Sequence, residues 1–367
     1  MQVAIVGLAG SGKSTVFNTL TGGHAETGGF GGLTVNVGVV KVPDERLSRL
    51  TELFHPRREV PADVTYIDLP APPSPSDGGA GANDLPADAL ARLRNADALL
   101  HVVRAFENPA VPHAAGTVDA RRDLERFDVE LVLADLAVAE KRLEKLRTTG
   151  RHGTPTEREA NEREQVVLER IVPGLGAGRP IRDLGLEDDE AKVVRGYRFL
   201  TEKPVLILVN VGEADLPAAA GTVAELMAGY EHRETLFDAL SARIEMEVGE
   251  LDEESAAIFR EELGLAGSSL DRVIRLSYRL LGLISFFTAG PDETRAWTIH
   301  DGDDAVAAAA AIHTDLAHGF IRAEVVLCED LLTLGSMAEA RRHGKLRSEG
   351  KTYRVRDGDV IEILFNV

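Results

Sequence analysis

Residues 7–15 read GLAGSGKST and follow directly on a short apolar run, Val3–Val6. Gly7, Gly12, Lys13 and Ser14 take the fixed places of the pattern G-x-x-x-x-G-K-[ST]. A helix-compatible run, Ser14–Leu20, comes next. The order strand, glycine-rich loop, helix constrains this chain more than anything else in it. Glycines let a backbone curl until several N–H groups point into one concavity, a nest for phosphate oxygens. The helix that starts there adds the positive end of its dipole. Gly7, Ala9, Gly10, Ser11, Gly12, Lys13, Ser14 and Thr15 are therefore the expected nucleotide-binding loop. Lys13 is expected to reach the β- and γ-phosphates, and the Ser14 hydroxyl to hold Mg²⁺. The bland alternative is a glycine-rich turn with an exposed lysine.

The 367 residues predict two or three domains, and 44% hydrophobic residues suffice for real cores. No apolar stretch approaches the length that spans a bilayer. The amino terminus lacks the basic region and cleavage pattern of a signal peptide. Cys328 is the single cysteine, so no disulfide forms within one chain. These features predict a cytoplasmic protein. A net charge of −19 argues against general binding to DNA or an anionic membrane. One segment departs from that balance. RRHGKLRSEGKTYRVR carries Arg341, Arg342, Lys345, Arg347, Lys351, Arg354 and Arg356 against only Glu349. It reads either as a solvated face or as a local contact for RNA or the ribosome.

Strand-like runs at Val35–Val42, Asp63–Leu69, Ala98–Val103 and Pro204–Asn210 alternate with helical segments, which predicts a doubly wound α/β domain. Within it, residues 128–200 show helical spacing, broken at Gly150, Gly153 and Pro155. This predicts an inserted helical hairpin. From about residue 282 the chain reads as a small α+β module, ending in a hairpin turned at Asp357-Gly358. The predicted organisation is a discontinuous nucleotide-binding domain, 1–127 and 201–281, a helical insert, 128–200, and a C-terminal domain, 282–367. The run PAPPSPSDGGAGAND, residues 70–84, follows the strand ending at Asp68 and excludes regular structure. In a P-loop protein the nucleotide-sensing loop lies there.

Taken in order, these motifs resemble the YchF-type Obg-like ATPases, a branch of the translation-factor class of P-loop proteins. The resemblance rests on the P-loop, the strand ending at Asp68, the run HVVRAFENPAVPH, the helical insert and the strand end Asn210-Val211-Gly212-Glu213. It also rests on AWTI, HTDLAHGFIRAEVV and GDVIEILFNV near the C-terminus. The last of these resemble the family's TGS domain. The resemblance implies ribosome association and slow hydrolysis of ATP to ADP and phosphate.

Guanine-specific relatives end the same strand with N-K-x-D, whose Asp accepts two N–H bonds from guanine. Here the Lys is absent and the acid, Glu213, is one methylene longer. Losing that polar match removes what rejects adenine, so ATP is expected over GTP. Asn210, Val211 and Glu213 are the expected base-side residues, and Ser241-Ala242 the loop covering the base from the far side. Asp68, acting on the metal through water, and Thr34 are candidates to join Ser14 around Mg²⁺. No Gln follows Asp68 to orient the attacking water, and the family pattern gives that task to a loop histidine matched by His113.

Three departures stand out. Asp68-Leu69-Pro70-Ala71 replaces the family's Asp-x-x-Gly, the following loop is rich in Pro and Ser instead of Gly and Lys, and Gly10 replaces an Asn that helps bind potassium. They leave open a second expectation, a regulatory protein that binds nucleotide without significant hydrolysis. A third, a small-molecule kinase, needs an Arg-rich lid. The insert's arginines alternate with acids.

Overall fold

The computed structural model describes residues 1–23, 36–69, 87–113, 115–150, 152–265 and 267–366. Thr34 and the segment 70–84 lie outside the described residues. The strands are β1 (Gln2–Val6), β2 (Asn36–Lys41), β3 (Arg58–Val60), β4 (Asp63–Asp68), β5 (Ala98–Ala105), β6 (Val205–Val211), β7 (Thr235–Leu240), β8 (Leu283–Ala289), β9 (Glu293–His300), β10 (Phe320–Leu327), β11 (Arg347–Glu349) and β12 (Asp359–Phe365). The chain divides into two compact units, Met1–Gly38 with Thr65–Val273, and Val39–Val64 with Ile274–Val367.

In the first unit the sheet order is β2-β4-β1-β5-β6-β7, and β1 pairs parallel with both β4 and β5. The chain lays β4 on one side of β1 and β5 on the other. That reversal opens a crevice at the carboxyl end of β1, where ligands bind in sheets of this kind. β6 is buried along its whole length because β5 and β7 flank it and helices cover its faces. The expected P-loop α/β fold is the observed one.

Five helices matter for the site and its surroundings: α1 (Lys13–Thr21), α2 (Glu45–Phe54), α3 (Ala87–Asn95), α4 (Ala120–Thr149) and α5 (Pro155–Gly176). α4 begins eight residues before the expected insert, because the Asp119 side chain caps it by accepting from the Arg122 amide. Its first turns bury Leu124, Phe127 and Leu131 against Leu99 and Val103 of β5. Its later turns bury Ala139, Leu143 and Leu146 against Val167, Leu168 and Ile171 of α5. α5 starts where a capping box between Thr154 and Glu157, with Pro155 in the first turn, satisfies its free amides. Arg142–Glu164 and Arg147–Glu169 pairs lace the two helices. The root of the hairpin is polar. Asp135 is fully buried and accepts from Arg94 Nη1 at 3.0 Å, Thr201 N at 2.8 Å and Thr201 Oγ1 at 2.9 Å.

The second unit holds a sheet in the order β11-β10-β12-β8-β9-β3. Residues 39–64 belong to it, although they lie within the first 127: β3 extends the sheet by pairing parallel with β9, and α2 packs beside it. The expected terminal hairpin is not formed. Asp357-Gly358 does turn, with Gly358 at φ +86°, but β12 pairs with β10 and β8 instead of with residues 351–356. The cause is where the acids go. Asp357 accepts from the Ser285 amide and from Arg46, and buried Asp359 accepts from Arg356 N and Tyr353 Oη. The Ala-rich helix Ala305–Ile312 stops where His313 turns extended at φ −165° and caps a second short helix.

Candidate nucleotide site

The loop between β1 and α1 is shaped by close approach. Gly7 lies at φ +140°, and a β-carbon there would stand 2.4 Å from the Val102 carbonyl oxygen of β5. Gly12 lies at φ +94°, and a β-carbon there would stand 2.3 Å from Asn210 Nδ2. Only glycine fits either place. Gly12 is also the cap residue of α1 and supplies no side-chain acceptor, and no acid sits in the first turn. The leading amides of α1 are therefore left for an anion.

Lys13 is 6% exposed, and its ammonium donates to the Leu8 carbonyl at 2.9 Å. Burial pulls its pKa down to about 8, against the opposing pull of Asp68. Asp68 ends β4 and is itself buried; burial pushes its carboxyl up, opposed by hydrogen bonds from Ser14, by Lys13 and by Asn36. Its Oδ1 has no partner. A hydroxyl, a carboxylate oxygen and an orphaned second oxygen beside a phosphate cradle are the hard-oxygen donors that Mg²⁺ takes, and they fit it. Among the described residues no three His, Cys, Asp or Glu side chains converge on a metal position. A cation here would complete its shell from phosphates and water, as Mg²⁺ commonly does.

On the base side Asn210 is a strut. Its Nδ2 donates to Ser11 O at 3.0 Å and its Oδ1 accepts from Ala242 N at 3.0 Å. One amide thus joins the phosphate loop to the Ser241–Ala242 turn. Ser241, Ala242 and Val211 are buried, and Glu213 is exposed at the start of a short helical turn. The structure therefore brings the sequence-predicted residues of the P-loop, Asp68, Asn210 and Ser241–Ala242 together.

His113 is placed differently. Its Nε2 meets Asp123 Oδ2 at 2.8 Å and its Nδ1 accepts from Ala115 N at 3.1 Å. Both ring nitrogens are spent on protein partners at the start of α4. The C-terminal basic segment is likewise less bare than its sequence. Arg341 pairs with Glu324, Arg342 with Glu339, Lys345 with Asp330, and Arg347 with Glu349. Two residues of β5 escaped the sequence reading, His101 and Arg104, both 2% exposed. Burial, with Lys13 adding to it, lowers the His101 pKa to about 3 and keeps the ring neutral beneath the loop. The available signal was a polar side chain inside an otherwise apolar central strand.

Comparison with known proteins decides the family. The chain is 39% identical to the "Ribosome-binding ATPase YchF" of Bacillus subtilis over 378 residues, covering 100% of both chains. This chain belongs to the YchF family. The Escherichia coli O157:H7 protein of the same name is 38% identical, covering 100% of this chain and 99% of its own. A solved YchF GTPase from Schizosaccharomyces pombe superposes with a TM-score of 0.85 at 31% identity, over 99% of this chain and 97% of that one. The family profile described as "50S ribosome-binding GTPase" matches residues 2–149, and that of the YchF GTPase C-terminus, described as a protein of unknown function (DUF933), matches 283–366. The YchF fold thus accounts for both the P-loop unit and the C-terminal sheet.

Proposed function

We propose that this YchF-family chain is a slow, Mg²⁺-dependent ATPase that associates with the ribosome in the cytoplasm and changes state with the nucleotide it holds. The observation that carries this reading is the cradle itself: two glycines that admit no side chain, an uncapped helix start and buried Lys13 surround one anion position, with Ser14 and Asp68 beside it. Ribosome association is inferred from the printed names of the relatives. Lys351 and Arg356, both exposed, are the C-terminal cations we favour for that contact.

In the reaction, a water oxygen bonds to the γ-phosphorus, the bond to the β–γ bridging oxygen breaks, ADP leaves with that oxygen, and the water's protons pass to the released phosphate and to solvent. The α1 amides and Lys13 hold the phosphates and neutralise charge as it develops. Ser14 and Asp68 would hold Mg²⁺, which would supply further charge neutralisation when bound. His113 is our candidate for orienting the water, which requires it to exchange Asp123 for solvent. Thr34 is our candidate for a further metal contact.

Binding of ATP and GTP measured in competition, with Mg²⁺, followed by single-turnover phosphate release with and without ribosomes, tests the reading. Tighter ATP binding and release above background are expected; equal GTP binding refutes the nucleotide assignment. His113→Ala is expected to slow release about a hundredfold, the usual worth of a positioned acid–base group. A turnover already at background and unmoved by that change favours the second reading, a nucleotide-binding regulator without hydrolysis, to which the engaged His113 ring lends weight. The base assignment has its own test. The double change Val211→Lys, Glu213→Asp restores the guanine-type acceptor and is expected to raise GTP affinity relative to ATP by about tenfold or more.

A further inference from the structure

Arg104 closes the buried run of β5 with a charge, and only two of its three nitrogens are used. Nε donates to the Phe106 carbonyl at 3.0 Å and Nη2 to the Val111 carbonyl at 2.8 Å. The guanidinium lies over the Phe106 ring, 4.7 Å from its centroid. Nη1 is buried and has no hydrogen-bond partner. It stands 3.2 Å from the point that a β-carbon on Gly10 would occupy, and Gly10 sits at φ +74° in the phosphate loop. A guanidinium does not shed its proton to escape such a position. A buried, charged donor left unpaired forfeits its hydration with nothing in return, so its persistence calls for an acceptor. A side chain at Gly10 would meet this arm and the Val111 methyl, 3.3 Å from the same point, so the bare glycine leaves the arm next to the loop backbone. The ligand the loop is built for is a chain of phosphate oxygens, and guanidinium is the side chain best matched to it.

We propose that Nη1 of Arg104 donates to a phosphate oxygen of the bound nucleotide, which makes Arg104 a binding residue supplied from within the chain. The inference rests on reading the amino-terminal loop as a triphosphate cradle. The other two arms hold the carbonyls on either side of residues 107–110, the stretch leading to His113. Phosphate occupancy is thereby tied to the position of the segment that carries His113.

The test uses the full chain with Mg·ADP and Mg·AMPPNP as probes. Arg104→Met is expected to weaken both by about tenfold or more and to move the β-phosphorus resonance of bound ADP in a ³¹P spectrum at saturation. Arg104→Lys keeps the charge on one nitrogen, which cannot hold two carbonyls and a phosphate together; a smaller loss, about threefold to tenfold, and a shifted β-phosphorus resonance are expected. If the methionine variant fails to fold, the lysine variant decides. Affinities within twofold of the unaltered chain overturn the proposal. So does weaker binding with an unmoved phosphorus spectrum, since Arg104 then only props the 106–111 loop. The underlying site reading fails differently: the unaltered chain would not bind Mg·ADP, or Lys13→Ala would bind it equally well.

Discussion

Alanine at Lys13 is expected to weaken Mg·ATP binding by about a hundredfold or more, the worth of one or two charge-assisted hydrogen bonds of roughly 1.5–3 kcal/mol each. Titration calorimetry reads it directly. The same substitution is expected to leave the thermal midpoint unchanged or raised. In the free protein Lys13 is buried with one carbonyl as hydrogen-bond partner, and burial outweighs the pull of Asp68, so the ammonium is a stability cost relieved by ligand. Loss of binding accompanied by unfolding counts against this account.

The pH dependence follows from the same group. Lys13 titrates near 8 in the fold and at 10.5 in the unfolded chain. Between those values the unfolded chain holds the extra proton, so this residue's contribution to stability improves as the pH rises through that window. A bound triphosphate favours the charged form and raises the pKa again. Binding above pH 8 is therefore expected to take up a proton, and affinity to fall by up to about tenfold per pH unit there. Calorimetry in two buffers of different ionisation heat detects that uptake, and Lys13→Ala should abolish it.

The largest stability effect is expected at Asp135. Alanine there strips three donors of their acceptor at once, Arg94 Nη1, Thr201 N and Thr201 Oγ1. Breaking a buried pair from one side costs about 3–5 kcal/mol. Denaturant unfolding is the measurement, and a change below about 1 kcal/mol would mean water replaces the carboxylate. Because Arg94 lies in α3 and Thr201 just ahead of β6, the loss is expected to loosen the hairpin root before the sheet; hydrogen exchange along α4 would report it.

What the sequence made legible was local. Gly7 to Thr15 are contiguous, and their chemistry is fixed by neighbours in the chain. The helical insert showed itself by period and breaks, though its start did not, because α4 runs unbroken out of the sheet's own packing. Contacts over long separations stayed hidden. Asn210 reaches Ser11 across 199 positions, and nothing in LVNVGEAD announces that it also holds the Ala242 amide. β3 has no signature of its own and is a strand because β9 offers an edge. The Asp357-Gly358 turn was read from a two-residue rule that the long-range bonds of Asp357 and Asp359 override. The basic segment looked unopposed because Glu324, Asp330 and Glu339 arrive from outside or from the edge of the window read.

α4 is 30 residues of continuous helix, a rod of about 45 Å at 1.5 Å per residue. Its first turn is gripped by His113 through Asp123, and its far end carries the tip of the hairpin. By simple leverage, a 5° tilt at that grip sweeps the tip through about 4 Å. A displacement that is small at the fulcrum is thus magnified along the rod and is largest at the tip.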